Sequence, residues 1–288
     1  MDGIILVNKE KGMTSRDVVN LVSRVCHTKK VGHTGTLDPM ATGLLVICVG
    51  RATKLVEVLT SHQKEYVTSM MFGIKTDTKD ITGIILEQSK SYMTKEQIEK
   101  VLHDMTTTYQ QEVPIYSAVK INGKKLYEYA RNGEQIDLPK REVTIEKLQM
   151  IDWQEQDQKL TFLAQVSKGT YIRSLVEDIA SHLNTIGTMT ELMRTKVGNF
   201  SLDRANTIAE IKNNSFKVYT IYEVLKSMYE TRQITGELEK KVLNGAKIDN
   251  PEDLDIVFFI NAKTEPLALY QKEENRLKCY KMLKIGIK

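Results

Sequence analysis

Residues 32–43 carry the densest chemical pattern in the chain, and they read Gly32-His33-Thr34-Gly35-Thr36-Leu37-Asp38-Pro39-Met40-Ala41-Thr42-Gly43. The glycines let this backbone turn tightly or approach another group closely. Pro39 steers the residue before it toward extended geometry, which predicts that Asp38 lies on a loop or at a strand end. The apolar run at 44–49 predicts a buried strand directly afterwards. An acid on a glycine-rich loop beside a rigid element is a typical position for a catalytic group.

The same stretch also fits an ordinary Asp-Pro turn without a chemical role, and composition alone favours that interpretation. Two phosphate-related motifs are excluded by their spacing. A phosphate-binding P-loop needs Gly-Lys-Ser/Thr, whereas Gly43 is followed by Leu44. An aspartyl phosphatase is expected to carry a second acid two residues after the first, where this chain has Met40.

The bulk composition is that of a globular protein. The 288 residues are 41% hydrophobic and 27% charged, which allows one large domain, or a large domain and a small one. The net charge of +4 permits an anionic partner without identifying it. Three cysteines without CxxC spacing, no apolar run of membrane length and no signal peptide predict a cytoplasmic protein with no membrane association.

Local patterns predict the elements around the acidic loop. Thr14 and Asp17 have the spacing of a capping box and predict the start of a helix. Residues 52–59 predict a second helix, and residues 64–72 predict a strand rich in β-forming side chains.

A further amphipathic helix is predicted from residue 171 onward, with Arg173 in its first turn. A cation is unfavourable at the positive end of a helix dipole, so Arg173 indicates a nearby anion. Polar residues at 229–236 indicate a boundary, after which one short helix and compact β-structure are expected.

Metal binding and the common nucleophile motifs find no support. The five histidines show neither HxxxH nor Cys/His spacing, and no serine or cysteine nucleophile signature occurs. No metal site is therefore expected. Asp38 remains the main candidate, with Arg173 and Tyr66 as companions. Taken singly, Tyr66 is better explained as a core tyrosine and His33 as a loop histidine than as functional residues.

The acidic loop and four later blocks resemble the TruB family of bacterial tRNA pseudouridine synthases. The acidic loop resembles that family's catalytic-aspartate motif. The similarity continues through Lys64-Glu65-Tyr66, the turn at 76–83, the block at 114–133 and the element at 167–175. Because these blocks occur in family order between residues 32 and 175, chance is a poor explanation for them.

The resemblance implies an α+β pseudouridine-synthase fold, whose central mixed, largely antiparallel sheet is flanked by helices. It implies a catalytic domain over residues 1–235. The tail, residues 236–288, is similar, more weakly, to a small PUA RNA-binding β domain. The implied activity is isomerisation of the uridine at position 55 in the T-loop of tRNA, without metal or cofactor. The implied partner is tRNA, bound at its T-loop and elbow, and a monomer is expected.

The resemblance also implies roles for individual residues. Asp38 matches the catalytic aspartate, Arg173 the arginine that pairs with it, and Tyr66 the tyrosine that stacks on the target base. His33 matches the histidine that fills the space left by a flipped base. The remaining substrate-binding positions are Leu192, Lys64, Lys168 and Tyr171. Asp38 could attack the anomeric carbon or uracil C6, or work through a glycal, and the sequence leaves these three routes open.

Two departures from the family pattern concern local loop geometry. The chain has Pro114-Ile115 where the family often reads Pro-Pro, and Met105-Thr106-Thr107 where it reads Phe-x-Gly. Basic side chains suited to phosphate contacts are Lys29, Lys30, Lys120, Lys124, Lys125, Arg131, Lys140 and Arg141.

Two other functions remain open at this point. One is a non-catalytic tRNA-binding chaperone, which would retain the same resemblance. The other is a carboxylate glycosidase, which requires a second acid several ångströms from Asp38. Asp77 and Asp80 are the formal candidates for that second acid.

Overall fold

A computed structural model describes residues 1–90 and 92–284, so residues 285–288 of the expected C-terminal domain lie outside the described residues. The strands are β1 Gly3–Lys9, β2 Val31–His33, β3 Thr42–Val49, β4 Lys64–Phe72, β5 Ile74–Thr76, β6 Ile85–Gln88, β7 Thr108–Glu112, β8 Lys120–Ile121, β9 Lys124–Lys125, β10 Lys140–Gln154, β11 Lys159–Val166, β12 Gly187–Val197, β13 Phe200–Ser201, β14 Glu230–Gln233, β15 Ile248–Asp249, β16 Ile256–Ile260, β17 Pro266–Glu273 and β18 Arg276–Met282. The helices are α1 Ser15–Val25, α2 Val56–Thr60, α3 Lys95–Asp104, α4 Leu126–Arg131, α5 Ile172–His182, α6 Ile208–Lys212, α7 Ile221–Lys226 and α8 Gly236–Leu243, with 3₁₀ turns at Gly50–Leu55 and Leu202–Arg204.

The helix starts follow local capping chemistry. Thr14 Oγ1 accepts a hydrogen bond from the Asp17 amide, and the Asp17 carboxylate accepts one from the Thr14 amide, so the capping box of α1 is confirmed. The helix expected at 52–59 is wrong in its first half. A 3₁₀ turn occupies Gly50–Leu55, and only Val56–Thr60 is α-helical. Such tight turns are frequent at helix N-termini.

The central sheet is mixed and largely antiparallel, which confirms the expected α+β fold. Its strand order is β1-β3-β12-β4-β11-β10-β7, with β2 paired to β3 and β13 paired to β12. Among the pairs between these described strands, β3 and β12 run parallel and the others run antiparallel.

Strand β3 places its alternate side chains in two different apolar cores. Leu45 and Ile47 belong to the core that contains residues of α1, α3 and α5. Leu44 and Val46 belong to a second core on the other face. Because neighbouring side chains of a strand point to opposite faces, this continuously apolar run is buried on both sides.

The second core includes side chains of a separate C-terminal sheet. That sheet has the order β14-β16-β17-β18-β15. Phe258 and Ile260 of β16 belong to the same apolar cluster as Leu44 and Val46. β14 precedes the boundary expected at 235/236, although it pairs within the C-terminal sheet. The division into residues 1–235 and 236–288 stays a prediction.

Strand β12 is the main element that the sequence patterns miss. It carries Glu191, Arg194 and Lys196 in the middle of the sheet. Charged residues at such positions resemble a loop pattern, so no strand is predicted there. In the described part of the chain, no helix is long and apolar enough to cross a membrane.

Candidate active site

Asp38 lies on the loop that joins β2 to β3, as the Asp-Pro pattern predicts. The backbone turns at Asp38, since the Ala41 amide donates a hydrogen bond to the Asp38 carbonyl over 3.1 Å. Ser15 anchors Leu37, the residue before Asp38, because the Ser15 hydroxyl accepts a hydrogen bond from the Leu37 amide at 2.9 Å. The carboxylate is therefore carried on a loop fixed against buried elements.

Arg173 forms an ion pair with Asp38. Arg173 Nε lies 3.0 Å from Asp38 Oδ2, and Arg173 Nη2 donates to Asp38 Oδ1 over 3.4 Å. The arginine side chain is 7% exposed, whereas that of the aspartate is 33% exposed. Arg173 lies in the first turn of α5, where the sequence predicts a nearby anion, and Asp38 is that anion. The carboxylate is held from the protein side and remains open to solvent on the other.

The same guanidinium also binds two backbone carbonyls from other motif blocks. Nη1 donates to the Thr78 carbonyl at 3.1 Å, and Nη2 donates to the Tyr116 carbonyl at 3.0 Å. Arg173 thereby joins the turn at 76–83 and the segment at 114–120 to the acidic loop. This convergence explains why blocks so distant in sequence form one site.

Tyr66 and Leu192 lie on the same face of the central sheet. Tyr66 of β4 is 7% exposed, and its cross-strand partners are Ala164 on β11 and Arg194 on β12. Leu192 pairs with Thr68, two residues further along β4. Both side chains belong to the core cluster that contains Leu37, Met40 and Ala41 of the acidic loop.

The glycosidase interpretation gains nothing from the structure. Asp77 accepts hydrogen bonds from the Ile84 amide and the Tyr116 hydroxyl. The Asp80 carboxylate accepts from the Thr82 amide and hydroxyl within its own turn. Both carboxylates accept hydrogen bonds that hold the turn at 76–83, which accounts for their presence there without a catalytic role.

His33 occupies the end of β2, just before the acidic loop. Its Nδ1 accepts a hydrogen bond from the Gly35 amide at 3.3 Å, which fixes the ring orientation. Burial lowers the pKa of His33, and the charges of Arg194 and Arg16 lower it further. The imidazole is therefore favoured in its neutral form.

The remaining predicted substrate-binding residues, which are Lys64, Lys168 and Tyr171, differ in their burial. Lys64 is 8% exposed at the start of β4, and its Nζ donates to the carbonyls of Thr60 and His62. Lys168 is exposed on the loop before α5. Tyr171 precedes α5, and its amide donates to Gln111 Oε1 at 2.8 Å.

Lys64 is expected to make stability depend on pH. Burial, with the charges of Arg194 and Lys168, lowers the pKa of Lys64 from 10.5 to about 8. Between these values the unfolded chain binds the proton and the folded chain does not, so stability rises with pH in this window. The free energy of unfolding of wild type relative to Lys64→Met should therefore increase from about pH 8 to pH 10, as measured by urea denaturation. The exposed Lys11→Met is the control, and a pH-independent difference for Lys64→Met would contradict the expectation.

Two buried cations that sequence reasoning misses also contact the acidic loop. Lys9 Nζ donates to the Met13 carbonyl at 2.7 Å and to the Pro39 carbonyl at 3.4 Å. Arg194 donates through Nε to the Leu44 carbonyl and through Nη2 to the Gly35 carbonyl. The sequence gives only a weak signal for these two buried cations. Lys9 ends a strand-like run and Arg194 lies within one.

Two family models match consecutive parts of the chain. The N-terminal domain of the TruB family pseudouridylate synthases matches residues 23–172, and the C-terminal domain of tRNA pseudouridylate synthase B matches residues 173–230. The chain is 41% identical to tRNA pseudouridine synthase B of Caldanaerobacter subterraneus subsp. tengcongensis over 256 residues, covering 88% of this chain and 89% of the relative. It is 38% identical to tRNA pseudouridine synthase B of Bacillus pumilus, covering 99% and 97%.

Solved structures support the fold. An H/ACA ribonucleoprotein bound to a substrate RNA containing 2′-deoxyuridine contains a chain that matches with a TM-score of 0.72 at 20% identity, covering 98% of this chain and 85% of the other. A Cbf5-Nop10-Gar1 complex contains one that matches with the same TM-score at 21% identity. The sequence relatives go further than the fold, because they span almost the whole chain. This chain belongs to the TruB family of pseudouridylate synthases.

Proposed function

We propose that this chain converts the uridine at position 55 of the tRNA T-loop to pseudouridine, with Asp38 as the reactive carboxylate. Family membership makes the chain a tRNA pseudouridine synthase, which is an isomerase. The observation that supports Asp38 as the reactive carboxylate is its ion pair with Arg173. The two residues are 135 positions apart and come from separate motif blocks.

The reaction needs one carboxylate and no redox partner. The bond between the ribose anomeric carbon and N1 of uracil breaks, a bond from that carbon to C5 forms, and a proton passes from C5 to N1. A carboxylate in an ion pair is ionised, as a nucleophile must be. Arg173 binds two further carbonyls, so Asp38 is held in one orientation while its outer side stays open. The first step goes through the anomeric carbon, uracil C6 or a glycal, and all three remain compatible with this geometry.

The target base must leave the RNA stack to reach a carboxylate on a protein loop. The apolar face that contains Tyr66 and Leu192 suits the faces of a uracil ring, and it belongs to the same cluster as Leu37 beside Asp38. We propose that Tyr66 takes part in the proton transfer at C5. We also propose that His33 fills the space that the flipped base leaves in the RNA.

The remaining tRNA contacts are assigned to basic surfaces. We assign substrate contacts to the exposed Lys168, to Tyr171 directly before α5 and to Lys64 at the start of β4. In the segment at 114–133, Lys124 lies 4.4 Å from the ring centroid of Tyr129, and Arg131 lies 5.4 Å from that of Tyr127. Interleaved cations and aromatic rings suit phosphates and exposed bases. The C-terminal sheet adds an RNA-binding surface, and the active species is a monomer bound to the tRNA elbow.

Purified full-length protein should form one pseudouridine per molecule of unmodified tRNA transcript, at position 55. The measurement is chemical mapping of pseudouridine along the transcript, and the matched control is the same tRNA with cytidine at that position. Modification at another position, or at several, would contradict the T-loop assignment. No pseudouridine with any tRNA would overturn the proposed activity and favour a binding-only chaperone.

A further inference from the structure

Arg194 is a fully buried cation in the centre of the main sheet. Its side chain is 1% exposed. In the described part of the chain, its side-chain hydrogen bonds go to backbone carbonyls: Leu44 at 2.8 Å and Gly35 at 3.0 Å. Removing a guanidinium from water is unfavourable, and an apolar residue would fill a core position more favourably. The presence of Arg194 is therefore better explained by its hydrogen bonds to these two carbonyls than by a gain in folding stability.

The two carbonyls bracket the acidic loop. Gly35 precedes Asp38 by three residues, and Leu44 follows it by six. One rigid, planar guanidinium thus fixes both ends of the segment that carries the carboxylate. Lysine could not reproduce this arrangement, because its single ammonium lacks the fixed fork of donors.

The backbone of Arg194 aligns the loop with the strand that carries Tyr66. Arg194 pairs with Gly43 on parallel β3 and with Tyr66 on antiparallel β4. The approach to β3 is close, since a Cβ on Gly43 would lie 2.8 Å from the Arg194 nitrogen. Gly43 also has φ +97°, which favours glycine. One residue therefore links the element that carries Asp38 with the strand that carries Tyr66.

We propose that Arg194 is a positioning residue for pseudouridine formation, which sets the place of Asp38 relative to Tyr66 by holding the carbonyls of Gly35 and Leu44. The inference rests on the proposed function. Arg194 itself touches no substrate, because its side chain is buried beneath the loop. Its removal should therefore disturb the chemical step rather than tRNA binding.

The test uses full-length Arg194→Met and Arg194→Lys with unmodified tRNA in steady-state, single-turnover and binding assays. Since displacement of a reacting group by about 1 Å costs on the order of 100-fold in rate, Arg194→Met should lose about that factor in kcat. The Kd for tRNA should stay within about threefold. Arg194→Lys should recover part of the rate, because it retains a charge and one carbonyl contact.

A matched variant separates positioning from loss of stability. Asn206 is buried, and its side-chain amide donates to two carbonyls, those of Leu6 and Lys217, away from the acidic loop. Asn206→Leu should lower Tm but keep kcat, with both measured at a temperature where circular dichroism shows each variant folded. An equal kcat loss in Asn206→Leu at equal Tm loss would overturn the inference.

The remaining outcomes are also decisive. If Arg194→Met does not fold, Arg194→Lys decides, and wild-type kcat in that variant would overturn the inference. A loss confined to tRNA affinity would overturn it as well. If wild type forms no pseudouridine, the proposed function itself fails. If wild type is active and the Arg194 variants are equally active, only the inference about Arg194 fails.

Discussion

Replacing Asp38 by asparagine is expected to lower single-turnover pseudouridine formation by about 10⁶-fold, the order seen when an enzyme loses its nucleophile. Asparagine has nearly the same shape as aspartate, but its amide is not a nucleophile. Arg173 keeps its hydrogen bonds to the carbonyls of Thr78 and Tyr116, so the surrounding loops should stay in place. The loss should therefore appear in the chemical step.

The control for this experiment is Asp203→Asn, an exposed carboxylate on the 3₁₀ turn at Leu202–Arg204. That variant should retain the wild-type rate. Asp38→Asn should also bind tRNA with an affinity within about threefold of wild type, since the loss concerns chemistry. Full activity in Asp38→Asn would remove Asp38 from the mechanism.

The second large effect is expected from removing the C-terminal sheet. A chain ending at residue 229 loses Phe258, Ile260, Leu269 and Leu283 from the apolar cluster that also contains Leu44 and Val46 of β3. Exposing even two large apolar side chains costs roughly 3–6 kcal/mol, against a total stability of about 5–15 kcal/mol for a typical protein. We expect Tm to fall by roughly 10 °C or more, measured by calorimetry, with aggregation at lower temperature.

Two neighbouring phenylalanines of β16 provide the matched comparison within the intact chain. Phe258 belongs to the core shared with β3, whereas Phe259 belongs to the interior of the C-terminal sheet. Phe258→Ala should lower the hydrogen-exchange protection of β3 amides, and Phe259→Ala should lower that of the C-terminal strands alone. Equal loss of β3 protection in both variants would contradict a direct structural link between this sheet and the acidic loop.

Much of the site is predictable because its local signals are strong. Pro39 fixes the geometry of the residue before it, so Asp38 is placed correctly on a loop at a strand end. Arg173 lies in the first turn of its helix, where a cation indicates an anion, and Asp38 is that anion. The strand at 64–72 is confirmed with the bounds of β4, because its β-forming residues are contiguous.

The rest depends on contacts that no local pattern encodes. Arg194 looks like a loop residue in sequence, and only the pairing of β12 with both β3 and β4 reveals that it is buried. The bonds from Arg173 to the carbonyls of Thr78 and Tyr116 are equally hidden, because a carbonyl acceptor has no sequence signature. Register and long-range pairing, rather than propensity, decide these positions.

The central position of β12 constrains how the chain can be synthesised and folded. The strands on either side of it, β3 and β4, end at residues 49 and 72, yet β12 begins only at residue 187. During translation the two earlier strands leave the ribosome well before their shared neighbour exists. Each then presents an unpaired edge, and β3 presents the apolar run Leu44-Leu45-Val46-Ile47-Cys48-Val49. Such pairing over long sequence separation is slow, and open apolar edges favour aggregation in the meantime. The nascent chain should therefore expose these edges until residue 197 has emerged, and the acidic loop can become ordered only after about two thirds of the 288 residues have been made.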